Sequence, residues 1–191
     1  MARKDENTGY LTGQLLIAMP QLQDTRFERS VIYLCVHNED GAMGLVVNRL
    51  SQELTFPDLL EQVGVELKSE GVSMPIHIGG PVDTGMGFVL HTSDYEQATT
   101  IKVNDSISLT HTVEILKDIA EGHGPRHAML ALGYAGWGAG QLDGEIHENS
   151  WLNVPADESL IFDDVQQDKW QRSIAKLGVD ISLLSGEAGH A

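Results

Sequence analysis

The chain of 191 residues carries 28 acidic against 12 basic side chains, a formal net charge of −16. A balance this acidic repels phosphate backbones and anionic membranes over about a Debye length, so direct binding to nucleic acid or to a membrane surface is not expected. The length suits one buried core, and the single cysteine, Cys35, excludes an intramolecular disulfide.

The N-terminal stretch to residue 13 is polar and reads as an extension. The apolar run Leu15–Met19 is too short for a membrane span or a signal-peptide core, so a cytoplasmic protein is expected. Gln14 to Ala18 reads as a strand stopped by Pro20, and Asp24 to Ser30 as a polar connection. Val31 to His37, rich in β-branched and aromatic residues, reads as a long strand. Its alternation sets Tyr33, Cys35 and His37 on one face, with Ile32, Leu34 and Val36 on the other. Those apolar neighbours predict a buried structural thiol at Cys35 in a reducing compartment, the alternative being a reactive nucleophile in an electropositive, partly exposed setting. Asn38-Glu39-Asp40-Gly41 has hairpin chemistry and hands the chain into a partner strand, Met43 to Asn48.

Thr55 predicts a helix N-cap, with Asp58 three residues on and Pro57 in the first turn. Leu59, Leu60 and Val63 form its apolar stripe, and Gly64 closes it. Strands are expected at Pro75–Ile78, Gly87–His91, Ile101–Val103 and Ile107–Leu109. A helix from Thr112 to Glu121 would bury Val113, Leu116, Ile119 and Ala120. A buried strand at Ala128–Leu132 then breaks into glycines, and a helix is expected to begin near Gly138. Trp151–Val154 and Leu160–Phe162 follow as strands, and Asp168–Leu177 as a last helix. No repeat or linker divides this pattern. It reads as a single α+β domain over residues 14–184, with a loose tail at 185–191.

Familiar chemistry is absent. Gly136-x-Gly138-x-Gly140 lacks the spacing of a dinucleotide fingerprint, and Gly79-Gly80-Pro81 lacks the lysine of a phosphate-binding loop. His123 and His127 stand four apart, but Gly124 and Pro125 between them exclude a helical ligand pair. No serine sits in a nucleophile elbow. No catalytic set, metal site or cofactor is therefore assigned.

Two groups of residues remain as binding candidates. If a helix starts after the glycines, Gln141 and Glu145 lie one turn apart on one side. With Tyr134 and Trp137 they would line the main pocket or partner surface. Arg29, Asn38 and Asn48 would join them if the sheet curls far enough. Arg29 and the Asn48-Arg49 pair should in any case share one edge, where they could bind a small anion or an acidic peptide, or pair with surface carboxylates. On the first reading Gln141→Ala and Glu145→Ala leave the melting temperature nearly unchanged. On the other, Tyr134 and Trp137 are core while Gln141 and Glu145 cap backbone groups.

The run Leu16-Ile17-Ala18-Met19-Pro20, with Phe27, Arg29-Ser30-Val31, His37-Asn38, Gly41-Ala42-Met43-Gly44 and Val47-Asn48, resembles the AlgH/YqgE family of small bacterial proteins. Gly79-Gly80-Pro81, Gly87-Phe88-Val89-Leu90-His91, Ala131-Leu132-Gly133-Tyr134-Ala135 and Gly140-Gln141-Leu142 extend the likeness through most of the chain. Leu50, where that family often has proline, is a minor departure. The resemblance implies an α+β domain whose bent, bifurcated sheet closes into a pseudo-barrel with helices outside. It brings no catalytic residue or cofactor, since the family has no established activity, and its name reflects a link to alginate regulation. The expected function is a non-enzymatic binding or regulatory module with a small-molecule or protein partner. An enzyme of unrecognised type and a DNA-binding regulator are the alternatives, the latter opposed by charge.

Overall fold

The computed structural model describes residues 9–163, 166–180 and 183. Nine strands form one antiparallel-dominated sheet among these residues: β1 (Gln14–Ala18), β2 (Val31–Asn38), β3 (Gly41–Val46), β4 (Ile76–Ile78), β5 (Val82–Thr92), β6 (Ile101–Lys102), β7 (Ile107–Thr110), β8 (Ala128–Gly138) and β9 (Trp151–Pro155). The order is β6-β7-β5-β8-β3-β2-β1-β9, with β4 lying parallel to β8 off that path. Five helices accompany it: α1 (Phe56–Gln62), α2 (Val113–Ala120), α3 (Gln141–His147), α4 (Glu158–Phe162) and α5 (Lys169–Ala175). The result is a single α+β domain built on a curled half-barrel.

Strand β8 is the spine. One edge pairs with β5 through Ala128–Leu132, and the other passes from β4, at Leu130–Leu132, to β3, at Ala135–Gly138. That change of neighbour is the fork in the sheet, and it brings three backbones together. Gly80 and Gly133 both have positive φ, and a Cβ on either would overlap the carbonyl backbone of the other segment. Only glycine allows this approach. The glycines therefore keep β8 extended through Gly138, and the helix begins at Gln141 rather than near Gly138.

Curling separates three apolar layers. The concave interior holds Leu15, Tyr33, Cys35, Leu45, Phe88 and Met129, closed by Leu160 and Ile161 of α4 and Trp170 and Ile174 of α5. Outside, α1 and α2 pack on Val89 and Leu130. On the other outer face Leu142 of α3 meets Ile32, Leu34, Trp137 and Trp151. The two faces read from β2 thus serve different layers, Tyr33 and Cys35 the interior and Ile32 and Leu34 the outer one. Burial pushes the Cys35 thiol up to about 12, as suits a structural cysteine.

Local chemistry explains most elements. Thr55 and Asp58 form a reciprocal capping box for α1, and the β2–β3 hairpin closes at Asn38↔Gly41. Three expectations need correction. Leu160–Phe162 is helical, because the Asp157 carboxylate accepts from the Leu160 N–H at 2.8 Å and starts α4. In α2 the buried stripe runs through Ile115, Leu116, Ile119 and Ala120, while Val113 is exposed at the first turn. In α1, Phe56 rather than Val63 completes the buried face. The tail 185–191 lies outside the described residues.

His77 on β4 is buried and faces the Gln166 side-chain oxygen at 3.3 Å. Desolvation first, then the charge of Lys169, lowers its pKa to about 4. A histidine whose folded pKa lies below its unfolded value leaves stability intact above about 6.5, the ordinary histidine value. Below that pH only the unfolded chain takes up the proton, so stability falls until the pH reaches about 4. The expected loss across this window is roughly 3 kcal/mol. Urea unfolding of the wild type and of His77→Asn at several pH values checks this. The variant's stability should be flatter in that range, and equal slopes would contradict the assignment. Asp157 contributes in a different window. Burial raises its pKa, but Lys176, the Leu160 N–H and Ser159 outweigh that and hold it at about 2, so its stabilisation is lost only in stronger acid.

Candidate functional site

An open groove of about 540 Å³ lies where the concave interior reaches the surface. Its floor is Tyr134 on β8, with Phe88 and Leu109 shared with the core, and Trp137 lines one end although its ring packs in the outer layer. Its walls are Val36 and Met43 on one side and Met86 and Ile101 on the other, and Val36, Met86 and Ile101 are exposed. The opening follows from the strands. Between Val82 and Gly87 the register of β5 against β8 shifts, and residues 83–86 swing out. On the facing side β2 bulges between Leu34 and Val36.

The polar groups of the groove are few and available. Tyr134 meets Phe88 edge-on at 5.9 Å, and Phe88 meets the His111 ring at 6.4 Å. Neither the Tyr134 hydroxyl nor the His111 imidazole makes a hydrogen bond among the described residues. Asp40 and Asp83 stand at the rim and form no ion pair there. Asp83 has φ 46°, a left-handed conformation that aspartate tolerates better than most residues. Asn38 uses its side-chain oxygen on the Asp40 N–H and keeps its amide free at the lip. No cysteine, serine or lysine lines the groove. Among the described residues no group of three or more His, Cys, Asp or Glu is placed to hold a metal ion.

The seven candidate residues fall into three places. Tyr134, Trp137 and Asn38 line the groove. Gln141 and Glu145 do not. Glu145 accepts hydrogen bonds from the indole N–H of Trp137 at 2.9 Å and of Trp151 at 2.8 Å, and from the Gln141 amide at 3.0 Å. Gln141 in turn accepts from the Gly138 N–H. Because β8 stays extended to Gly138, α3 starts too late to present this face to the groove.

Arg29 and Asn48 come together, at the opposite end of β2. The Asn48 amide donates to the Arg29 carbonyl at 2.8 Å, and its oxygen accepts from Val31 at 2.9 Å. The length of β2, roughly 23 Å for eight residues, keeps this pair from Asn38. Groove residues Asp40, Asp83, Met86, Ile101 and His111 escape the sequence reading. The only signal was the apolar run beyond Gly87, but the extent of β5 toward Val82 is set by pairing with β8.

A curled half-barrel with a forked spine and an apolar groove at its mouth defines an α+β class of fold. Comparisons give the particular family. A family model described as DUF179, AlgH-like, matches residues 15–182, and the chain belongs to that family. A UPF0301 protein of Bradyrhizobium sp. (strain BTAi1) is 54% identical over 191 residues, 96% of this chain and 88% of the relative. Another, from Rhodospirillum rubrum, is 52% identical over 186 residues, 97% of each chain. The solution structure of AlgH from Pseudomonas aeruginosa superposes with a TM-score of 0.79 at 40% identity, covering 100% of both chains. A crystal structure from Corynebacterium diphtheriae, TM-score 0.69 at 20% identity over 97% of this chain and 94% of that one, shares the fold. These relatives carry no biochemical function in their names, and no described helix is long and apolar enough to cross a membrane.

Proposed function

We propose that the protein is a cytoplasmic binding module whose groove receives a short segment of a partner protein, an aromatic or aliphatic side chain flanked by lysine or arginine. The observation that carries this is an open apolar trough whose rim carboxylates, Asp40 and Asp83, have no cationic partner among the described residues. Its walls include the exposed Val36, Met86 and Ile101, and so open a trough favours a chain laid across it over an enclosed metabolite. The net charge of −16 adds a field that draws a basic segment in and turns a nucleic acid away.

A fluorescent peptide with one tryptophan between lysines is the test, read by anisotropy at low and at physiological salt. Met86→Glu places a charge on the apolar wall and should weaken binding by about tenfold or more. Asp40→Asn with Asp83→Asn should weaken it a few-fold and flatten the salt dependence, since exposed charge pairs are worth about 0.2–1 kcal/mol each. Equal affinity for a peptide with glutamates in place of the lysines would overturn the proposal. So would consumption of a small-molecule substrate that depends on His111.

A further inference from the structure

At the far end of β2 a second hollow, about 180 Å³, lies between the loop of residues 28–29 and α5, lined by Arg29, Arg49, Trp170 and Gln171 among others. Arg29 is built into an unfavourable conformation there. Its φ is 52°, left-handed, which costs a long side chain energy and persists only when surroundings enforce it. Asn48 enforces it by holding the Arg29 carbonyl and the Val31 N–H. The guanidinium that this conformation presents lies over the Trp170 ring, 5.1 Å from its centroid. It makes no ion pair among the described residues. Arg49 behaves the same way, donating to the carbonyls of Arg26 and Glu28 and to the Ser30 hydroxyl. Arg26 shows the contrast, since it closes on Asp24 at 2.7 Å.

We propose that this hollow binds a small oxyanion, a carboxylate or a phosphate, with Arg29 as the ligand-binding fork. Two arginines line this one hollow, the Trp170 ring lies against the guanidinium of Arg29, and Gln171 lines the wall with a neutral amide. Glu28 also lines the hollow, and its carboxylate makes no ion pair with either arginine. A guanidinium fork matches two oxygens at once, which a lysine does not. Asn48 acts through Arg29 and is a positioning residue. The inference is independent of the groove, so either can fail alone.

The test is a titration of the full chain with inorganic phosphate and, separately, with acetate, at ionic strength held constant with chloride. The reporters are the indole N–H signal of Trp170, anchored on the Ala18 carbonyl at 2.8 Å, and the Arg29 Nε–H signal. Saturable shifts at millimolar anion are expected, about tenfold weaker in affinity for Arg29→Gln and unchanged for Arg26→Gln. Gln171→Glu, which leaves Arg29 in place, should also abolish them. Tighter binding of phosphate identifies a phosphoryl ligand, and tighter binding of acetate a carboxylate. The proposal is overturned if chloride alone reproduces the shifts, if they do not saturate, if Arg29→Gln leaves the affinity unchanged, or if the shifts survive in Gln171→Glu.

Discussion

Lys169→Ala should lower stability by roughly 3–5 kcal/mol, the largest effect expected of any single lysine in the chain. Its side chain is fully buried, which is rare for lysine. The ammonium donates to the carbonyl of Val47 at 2.9 Å, just past β3, and to that of Ile161 in α4 at 3.0 Å. One side chain on α5 therefore ties both the sheet and α4 together where the half-barrel interior closes. Truncation to alanine strands two buried carbonyls at about 1–3 kcal/mol each and leaves a cavity where the stem lay. At 2–4 °C per kcal/mol for a domain of this size, the melting temperature should fall by about 6–20 °C. Lys169→Met keeps the stem's packing and should recover part of the loss. Thermal unfolding followed by circular dichroism decides it, and a fall under about 2 °C would refute this role.

Lys169 also shows where sequence reading stops. Its position at the head of an amphipathic helix was plain, and Trp170 and Ile174 marked the buried side. A lysine next to them reads as solvent-facing, because its burial depends on carbonyls 122 and 8 residues away. The local pattern served well wherever capping or alternation decides the outcome: the Thr55–Asp58 box, the hairpin at Asn38–Gly41, and the two faces of β2. It failed at Leu160, where three apolar residues fit a strand or a helix equally and Asp157 decides. It failed again after Leu132, because a glycine run reads as a break. Here the glycines are what allow Gly80 and Gly133 to pass each other and β8 to continue. The groove was half legible. Tyr134, Trp137 and Asn38 were named, but the opposite wall depends on a register shift in β5 that no periodicity records.

Glu145→Ala should destabilise the protein by roughly 2–5 kcal/mol, against the near-neutral outcome expected if Glu145 were a groove residue. A single carboxylate oxygen receives both indole N–H groups, from Trp137 at 2.9 Å and from Trp151 at 2.8 Å. Those rings meet edge-on at 5.8 Å and are nearly inaccessible to water, so neither N–H can turn to solvent when the acceptor goes. Each stranded donor costs about 1–3 kcal/mol. Charge-assisted bonds to indoles are also stronger than neutral ones. The fall in melting temperature should be about 4–20 °C. Glu145→Gln retains one acceptor oxygen and should lose only part of this. Gln141→Ala gives up bonds at an exposed position and should cost about 1 kcal/mol or less. Trp137 also lines one end of the groove, so the scaffold held by Glu145 sets part of its margin. With that margin loosened, the lysine-flanked peptide should bind Glu145→Ala more weakly even though Glu145 does not line the groove. Melting curves and peptide anisotropy on the three variants separate the roles. Unchanged stability together with abolished binding in Glu145→Ala would return Glu145 to the binding surface and remove it from the scaffold.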